Sequence, residues 1–134
     1  PHRELYHEFH ELGIPMYEWI LENTTPEAVF LCDEESVGMT VVMPAGRKLV
    51  SAMLLYSNPY VPFGPLYEAQ KKLLDAIESN DREAFCRQAG QYPALYLLVK
   101  KEKSQERRGK YEVFFEELCQ AGNLVVWRAR TCEL

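Results

Sequence analysis

The way apolar periodicity changes along the chain predicts an α+β domain, an antiparallel or mixed sheet of about five strands packed with amphipathic helices. Three observations carry this reading: a β meander spanning 28–56, further strand-like runs near 92–99 and 124–130, and stripes of helical period before, between and after them. At 134 residues the chain suits one domain, 1–134, able to bury roughly two thirds of its unfolded surface without metal or disulfide.

The elements follow in order. Leu5, Phe9 and Leu12 fall at i, i+4 and i+7, the stripe of a helix over residues 3–12, which Gly13 and Pro15 interrupt. Residues 15–23 fit a second helix with Met16, Trp19 and Ile20 inward, or a strand alternating Tyr17, Trp19 and Leu21; Pro at a first helical position favours the helix. Three strands are expected next: 28–32, then 38–43 (GMTVVM), then 48–56 (KLVSAMLLY), with turns at 33–36 and 44–46. The third, apolar at nearly every position, is expected at the centre of the sheet.

Pro59, Pro62 and Pro65 mark 58–65 as an ordered loop or extended arm, and Pro65 begins a helix carrying Leu66, Ala69, Leu73 and Ile77. Asn80 followed by Glu83 predicts a capping box opening a short helix over 81–89 that Gly90 closes. Tyr92–Val99 is expected as the fourth strand. A helix over 110–121 follows, with Tyr111, Phe114, Phe115 and Leu118 inward and Gly122 as its stop; 124–130 is the fifth strand, placing Val125, Trp127 and Ala129 on one face and Val126, Arg128 and Arg130 on the other.

Charge is unevenly spread. The first 36 residues hold nine Asp/Glu against the single Arg3, whereas 100–110 (KKEKSQERRGK) holds six Lys/Arg against two Glu, in a chain of net charge −5. A basic cluster of this kind is either a solvated loop joining strand to helix, its expected form here, or a patch for nucleic acid or acidic protein. An isoelectric point near 5.3 weighs against a dedicated nucleic-acid binder. As a solvated loop, it should tolerate Arg107→Glu with Arg108→Glu at almost no cost in stability. The stripe of Glu4, Glu8 and Glu11 reads either as a solvated face or as a phosphate mimic.

Sequence patterns for chemistry are sparse. His2, His7 and His10 lie in the first ten residues; Glu4-x-x-His7 is only half of a di-iron motif, and the histidines of HEFHE are three apart where a zinc helix needs four. No Gly-x-Ser-x-Gly elbow, dinucleotide fingerprint or phosphate loop occurs, so neither catalytic residues nor a metal or cofactor is assigned. Cys32, Cys86, Cys119 and Cys132 form no Cys-x-x-Cys pair, which predicts reduced thiols and a cytoplasmic location. The uncharged run from Leu49 contains three prolines unsuited to a membrane span, and the opening residues lack a basic then apolar leader pattern.

The functional expectation is a non-catalytic domain that binds another protein, as a regulator, inhibitor or immunity-type partner. Tyr60 and Phe63, on a proline-stiffened arm, either form contact area or pack down over the core. Lys100, Lys101, Arg107, Arg108, Arg128 and Arg130 complete the expected contact set. Two alternatives stand beside it: a nucleic-acid accessory protein using Lys100, Lys101, Lys103, Arg107, Arg108 and Arg130, and a small-molecule binder or enzyme with a tyrosine-lined pocket between sheet and helices. An edge strand pairing with its own copy would make a homodimer.

Overall fold

Two short runs, residues 28–32 and 95–99, are buried at every position, and a strand buried on both sides requires cover on both faces of its sheet. The computed structural model, which describes residues 14–32, 38–50 and 64–132, supplies that cover. The expected first helix with its histidines and acidic stripe, the turn at 33–36, and the loop carrying Tyr60 and Phe63 lie outside the described residues.

The elements are α1 (Ile14–Asn23), β1 (Val29–Leu31), a single π-helical turn (Gly38–Val42), β2 (Lys48–Leu49), α2 (Gly64–Glu78), α3 (Arg82–Ala89), β3 (Leu95–Lys100), α4 (Lys101–Glu106), α5 (Arg108–Phe114), β4 (Phe115–Ala121) and β5 (Leu124–Ala129). The strands form one mixed sheet in the order β2-β1-β3-β5-β4. β1 runs parallel to both β2 and β3, while β5 is antiparallel to β3 and β4. The fold class is α+β, as expected.

Period-2 alternation sorts the strand residues between two cores. Val29, Leu31, Leu95, Leu97, Val99, Val125 and Trp127 face one side, under α2, α3 and α5. Phe30, Tyr96, Leu98, Leu124 and Val126 face the other, under α1 and the π-helical turn. Helices contribute at helical spacing: Met16 and Ile20 from α1, Leu73 and Ile77 from α2, Phe85 and Ala89 from α3. Phe85 contacts Phe114 and Phe115 with ring centroids 4.8 and 5.3 Å apart, while Phe30 stacks on Tyr96 at 5.1 Å across the parallel pair.

The antiparallel meander over 28–56 is not what forms. Val29 pairs with Lys48 and Phe30 with Leu49 in parallel, a direction that requires a crossover between the two strands. Part of that crossover is the segment expected as the middle strand, where Met43 N donates to Gly38 O at 3.0 Å, the five-residue span of a π turn. Its Val41 and Val42 are buried against the sheet, so packing overrides their β preference. A Cβ on Gly38 would stand 2.8 Å from Leu49 Cδ1, and glycine is what lets the turn lie close on β2. β2 is also an edge strand and β3 the central one, reversing the expected placement.

Arg47 joins the turn to α1. Its guanidinium donates to Thr24 O at 2.9 Å, Thr24 Oγ1 at 2.8 Å and Ala45 O at 3.0 Å, placing a cation where a helix leaves carbonyls unpaired. The cap of α3 is Asp81, whose Oδ1 accepts from Ala84 N at 3.1 Å. Asn80 instead takes φ 56° in the turn before it, so the expected capping box is replaced by a single Asp81 cap one residue later, with Ala84 standing where the box would need Glu.

Two further corrections concern the last third. The basic segment is helical through α4 and α5 with a break at Arg107, in keeping with the helix preference of Lys, Glu, Gln and Arg. The expected helix over 110–121 ends at Phe114; residues 115–121 form β4, bulged between Glu117 and Cys119. Leu118 is accordingly exposed rather than inward. Gly122, at φ 61°, begins the two-residue hairpin turn to β5 rather than ending a helix.

Cys86 of α3 and Cys132 beyond β5 form a disulfide with Cα atoms 5.7 Å apart, 46 residues apart in sequence; Cys32 and Cys119 remain thiols. This overturns the expectation of four reduced cysteines, because spacing along the chain carries no record of which ends the fold brings together. Denatured, unreduced protein should titrate with two thiols rather than four. The Cys86→Ser, Cys132→Ser pair should lose up to about 4 kcal/mol of unfolding free energy in urea, the loop-closure value for a bridge of this span.

Candidate functional site

Three of the six basic residues of 100–110 are held by carboxylates of the protein itself. Arg107 forms an ion pair with Glu78 of α2, whose other oxygen receives Lys110 Nζ at 2.8 Å. Arg108 holds Glu117 of β4 through two hydrogen bonds, at 3.1 and 3.2 Å, with Glu112 at 3.4 Å. The Glu117 hydrogen bonds and charge hold the Arg108 guanidinium above its ordinary pKa. Glu112 is a local i,i+4 partner on α5, whereas Glu78 of α2 and Glu117 of β4 are brought to the basic segment by tertiary structure.

Arg108 also lies over the indole of Trp127, 5.4 Å from its centroid. That indole is almost wholly buried, and its Nε1–H donates to the equally buried Ser104 Oγ at 3.1 Å. Tyr111 meets the same ring edge-on at 5.8 Å. The helical basic segment is therefore seated on β5 through one hydroxyl, one cation and one aromatic ring. Ser104 and Tyr111 provide its inward contacts in place of an apolar stripe.

The other expected contact residues lie apart. Lys101 N donates to Asn123 O at 2.8 Å, beside the β4–β5 hairpin turn. Lys100 opposes Leu124 whereas Tyr96 opposes Arg128, so Lys100 and Arg128 are separated by about 13 Å of strand. Arg128 lies over the Tyr96 ring at 5.8 Å, and Arg130 Nε donates to Glu112 O at 3.0 Å. Arg128 and Arg130 line one concavity.

That concavity is a cleft of about 480 Å³ between the connection following α3 and the segment following β5. Arg128, Arg130 and Glu116 supply charge, Tyr92 and Pro93 a rigid apolar wall, and Cys132 ties the far wall to α3. A second cleft, about 580 Å³, lies across the Tyr92–Pro93 ridge, between the starts of β1 and β2 and the helices α2 and α3. Sequence reading assigned no role to Tyr92, Gln88, Glu78 or Glu117. No local motif marks them, since each acquires its setting from residues distant in the chain.

Among the described residues no group of three or more His, Cys, Asp or Glu could hold a metal ion, and no helix is long and apolar enough to cross a membrane. Comparison with protein-family models, with curated proteins and with solved structures finds no match to this chain.

Two substitutions test the seating of the basic segment. Ser104→Ala leaves the buried indole N–H without its acceptor and should cost about 1–3 kcal/mol, read from urea unfolding followed by Trp fluorescence. Arg107→Glu with Arg108→Glu, harmless for a solvated loop, now sets like charges against Glu78, Glu112 and Glu117. A loss of stability at low salt that shrinks as salt rises is expected, read from urea midpoints at the two salt levels.

Proposed function

We propose that the domain binds rather than catalyses, and that it recognises another protein, acting as a regulator, inhibitor or immunity-type partner. The observation that carries this reading is the cleft lined by Arg128, Arg130, Tyr92 and Pro93. Rigid aromatic and arginine side chains at one concave site are the residue types that dominate protein–protein binding energy. Glu116 in the same cleft makes the surface mixed in sign, which suits a protein partner better than a phosphate backbone.

The nucleic-acid reading is the weaker because Arg107, Arg108 and Lys110 are engaged by Glu78, Glu112 and Glu117. A homodimer through β4 is also disfavoured. That edge strand is bulged at Leu118 and carries Glu116 and Glu117, features that discourage edge pairing. The disulfide favours an oxidising compartment over the cytoplasmic one.

Affinity capture with the folded, oxidised protein, run with nuclease and at low and high salt, tests the proposal. A stoichiometric protein partner should survive nuclease and be lost at least about tenfold with Arg128→Glu, an exposed position whose reversal spares the core. Recovery only of nucleic acid that washes off in salt would overturn it.

A further inference from the structure

Two carboxamides line the second cleft, the exposed Gln91 and the buried Gln88. Gln88 lies on the buried side of α3, beside Phe85, Cys86 and Ala89, with 9 % of its surface exposed. Buried carboxamides are ordinarily paired. Among the described residues, however, the Gln88 side chain makes no hydrogen bond, and none of its polar atoms is sealed away without a partner. Its amide therefore opens into the cleft that it lines. A leucine of similar volume would serve the core at least as well, so packing alone does not call for a carboxamide here.

The rest of the cleft says what the carboxamide would meet there. Val29 and Ala69 form an apolar floor and the Tyr92 ring with Pro93 a flat wall. The cations Lys48 and Lys72 are balanced by Glu27 and Glu68. Glu27 remains ionised below the usual carboxylate range because its own backbone N–H, the Thr25 hydroxyl and the Lys48 and Arg47 charges stabilise it. Two charges of each sign leave no net attraction for an anion or a cation. A volume of about 580 Å³, with Val29, Ala69, Tyr92 and Pro93 for apolar contact and the carboxamides of Gln88 and Gln91 as donor–acceptor groups, has the make-up of a small-molecule site.

We propose that this cleft binds a small, uncharged, flat molecule whose amide-type edge pairs with both the C=O and the NH₂ of Gln88 while its apolar body lies against Tyr92. The site is separate from the Arg128 cleft and does not depend on the protein-recognition reading.

The test uses the intact oxidised protein with benzamide as the probe and acetophenone as its control, which keeps the ring and carbonyl but replaces NH₂ with methyl. Proton–nitrogen spectra should show saturable shifts of the Gln88 side-chain amide and the Tyr92 backbone amide at up to about 20 mM benzamide, the range expected for so small a ligand. Acetophenone should bind about tenfold more weakly, because a site built to hydrogen-bond rejects an analogue that lacks the donor. Gln88→Leu should erase that preference while leaving the thermal midpoint unchanged or raising it by about 2–4 °C. Failure of benzamide to saturate, equal binding of the two probes, or a lower midpoint in Gln88→Leu would each overturn the proposal, the last by showing that the amide is structural.

Discussion

The burial of β3 on both faces is the constraint on which the rest of the structure depends. Leu95, Leu97 and Val99 require one apolar layer and Tyr96 and Leu98 another, and no single helix can satisfy both. α2, α3 and α5 gather on one side while α1 and the π-helical turn gather on the other. The strand is also the point where the sheet changes direction, parallel to β1 and antiparallel to β5. The N-terminal and C-terminal halves of the chain thus meet along one line of hydrogen bonds, and the two clefts open beside the connection that enters it.

Charge in the basic segment is largely organised inward, toward the protein's own carboxylates. Glu78 on α2 engages Arg107 and Lys110, and Glu117 on β4 engages Arg108 with two hydrogen bonds. Isolated exposed pairs contribute little. Here they are joined through Arg108 to a buried indole and through Ser104 to its N–H, so they help fix the orientation of two helices on β5. A polar sequence segment can in this way be part of the architecture, with its charges turned toward carboxylates supplied by other elements.

What was legible in the sequence follows from how local each signal is. Helical stripes at 15–23, 66–77 and 81–89, and the faces of the strand at 124–130, depend on neighbours within a turn or two, and these appear as expected. The direction of β2 could not be read, because a parallel or antiparallel choice depends on the path of the crossover and not on composition. GMTVVM carries strand-forming residues, yet Gly38 lies against Leu49 and the valines fill the core from a turn. The same locality limit applied to the candidate site. Arg128 and Arg130 were visible as outward-facing cations, whereas Tyr92 and Gln88 acquire meaning only where α3, β1 and β5 converge.

The bond between Cys86 and Cys132 turns residues 86–132 into a closed covalent ring holding β3, α4, α5, β4 and β5, with α1, β1 and β2 outside it. Tension entering the chain at residue 132 passes straight across to α3, so the β4–β5 hairpin and its pairing with β3 bear none of the load. A protease that cuts once at the exposed Gly122–Asn123 turn leaves both sides of the cut tethered and the ring's mass undivided. A cut between β2 and α2 separates two pieces joined by packing and the β1–β3 hydrogen bonds but by no covalent bond. Covalently, the molecule is thus asymmetric: its C-terminal half tolerates a single break that its N-terminal half does not.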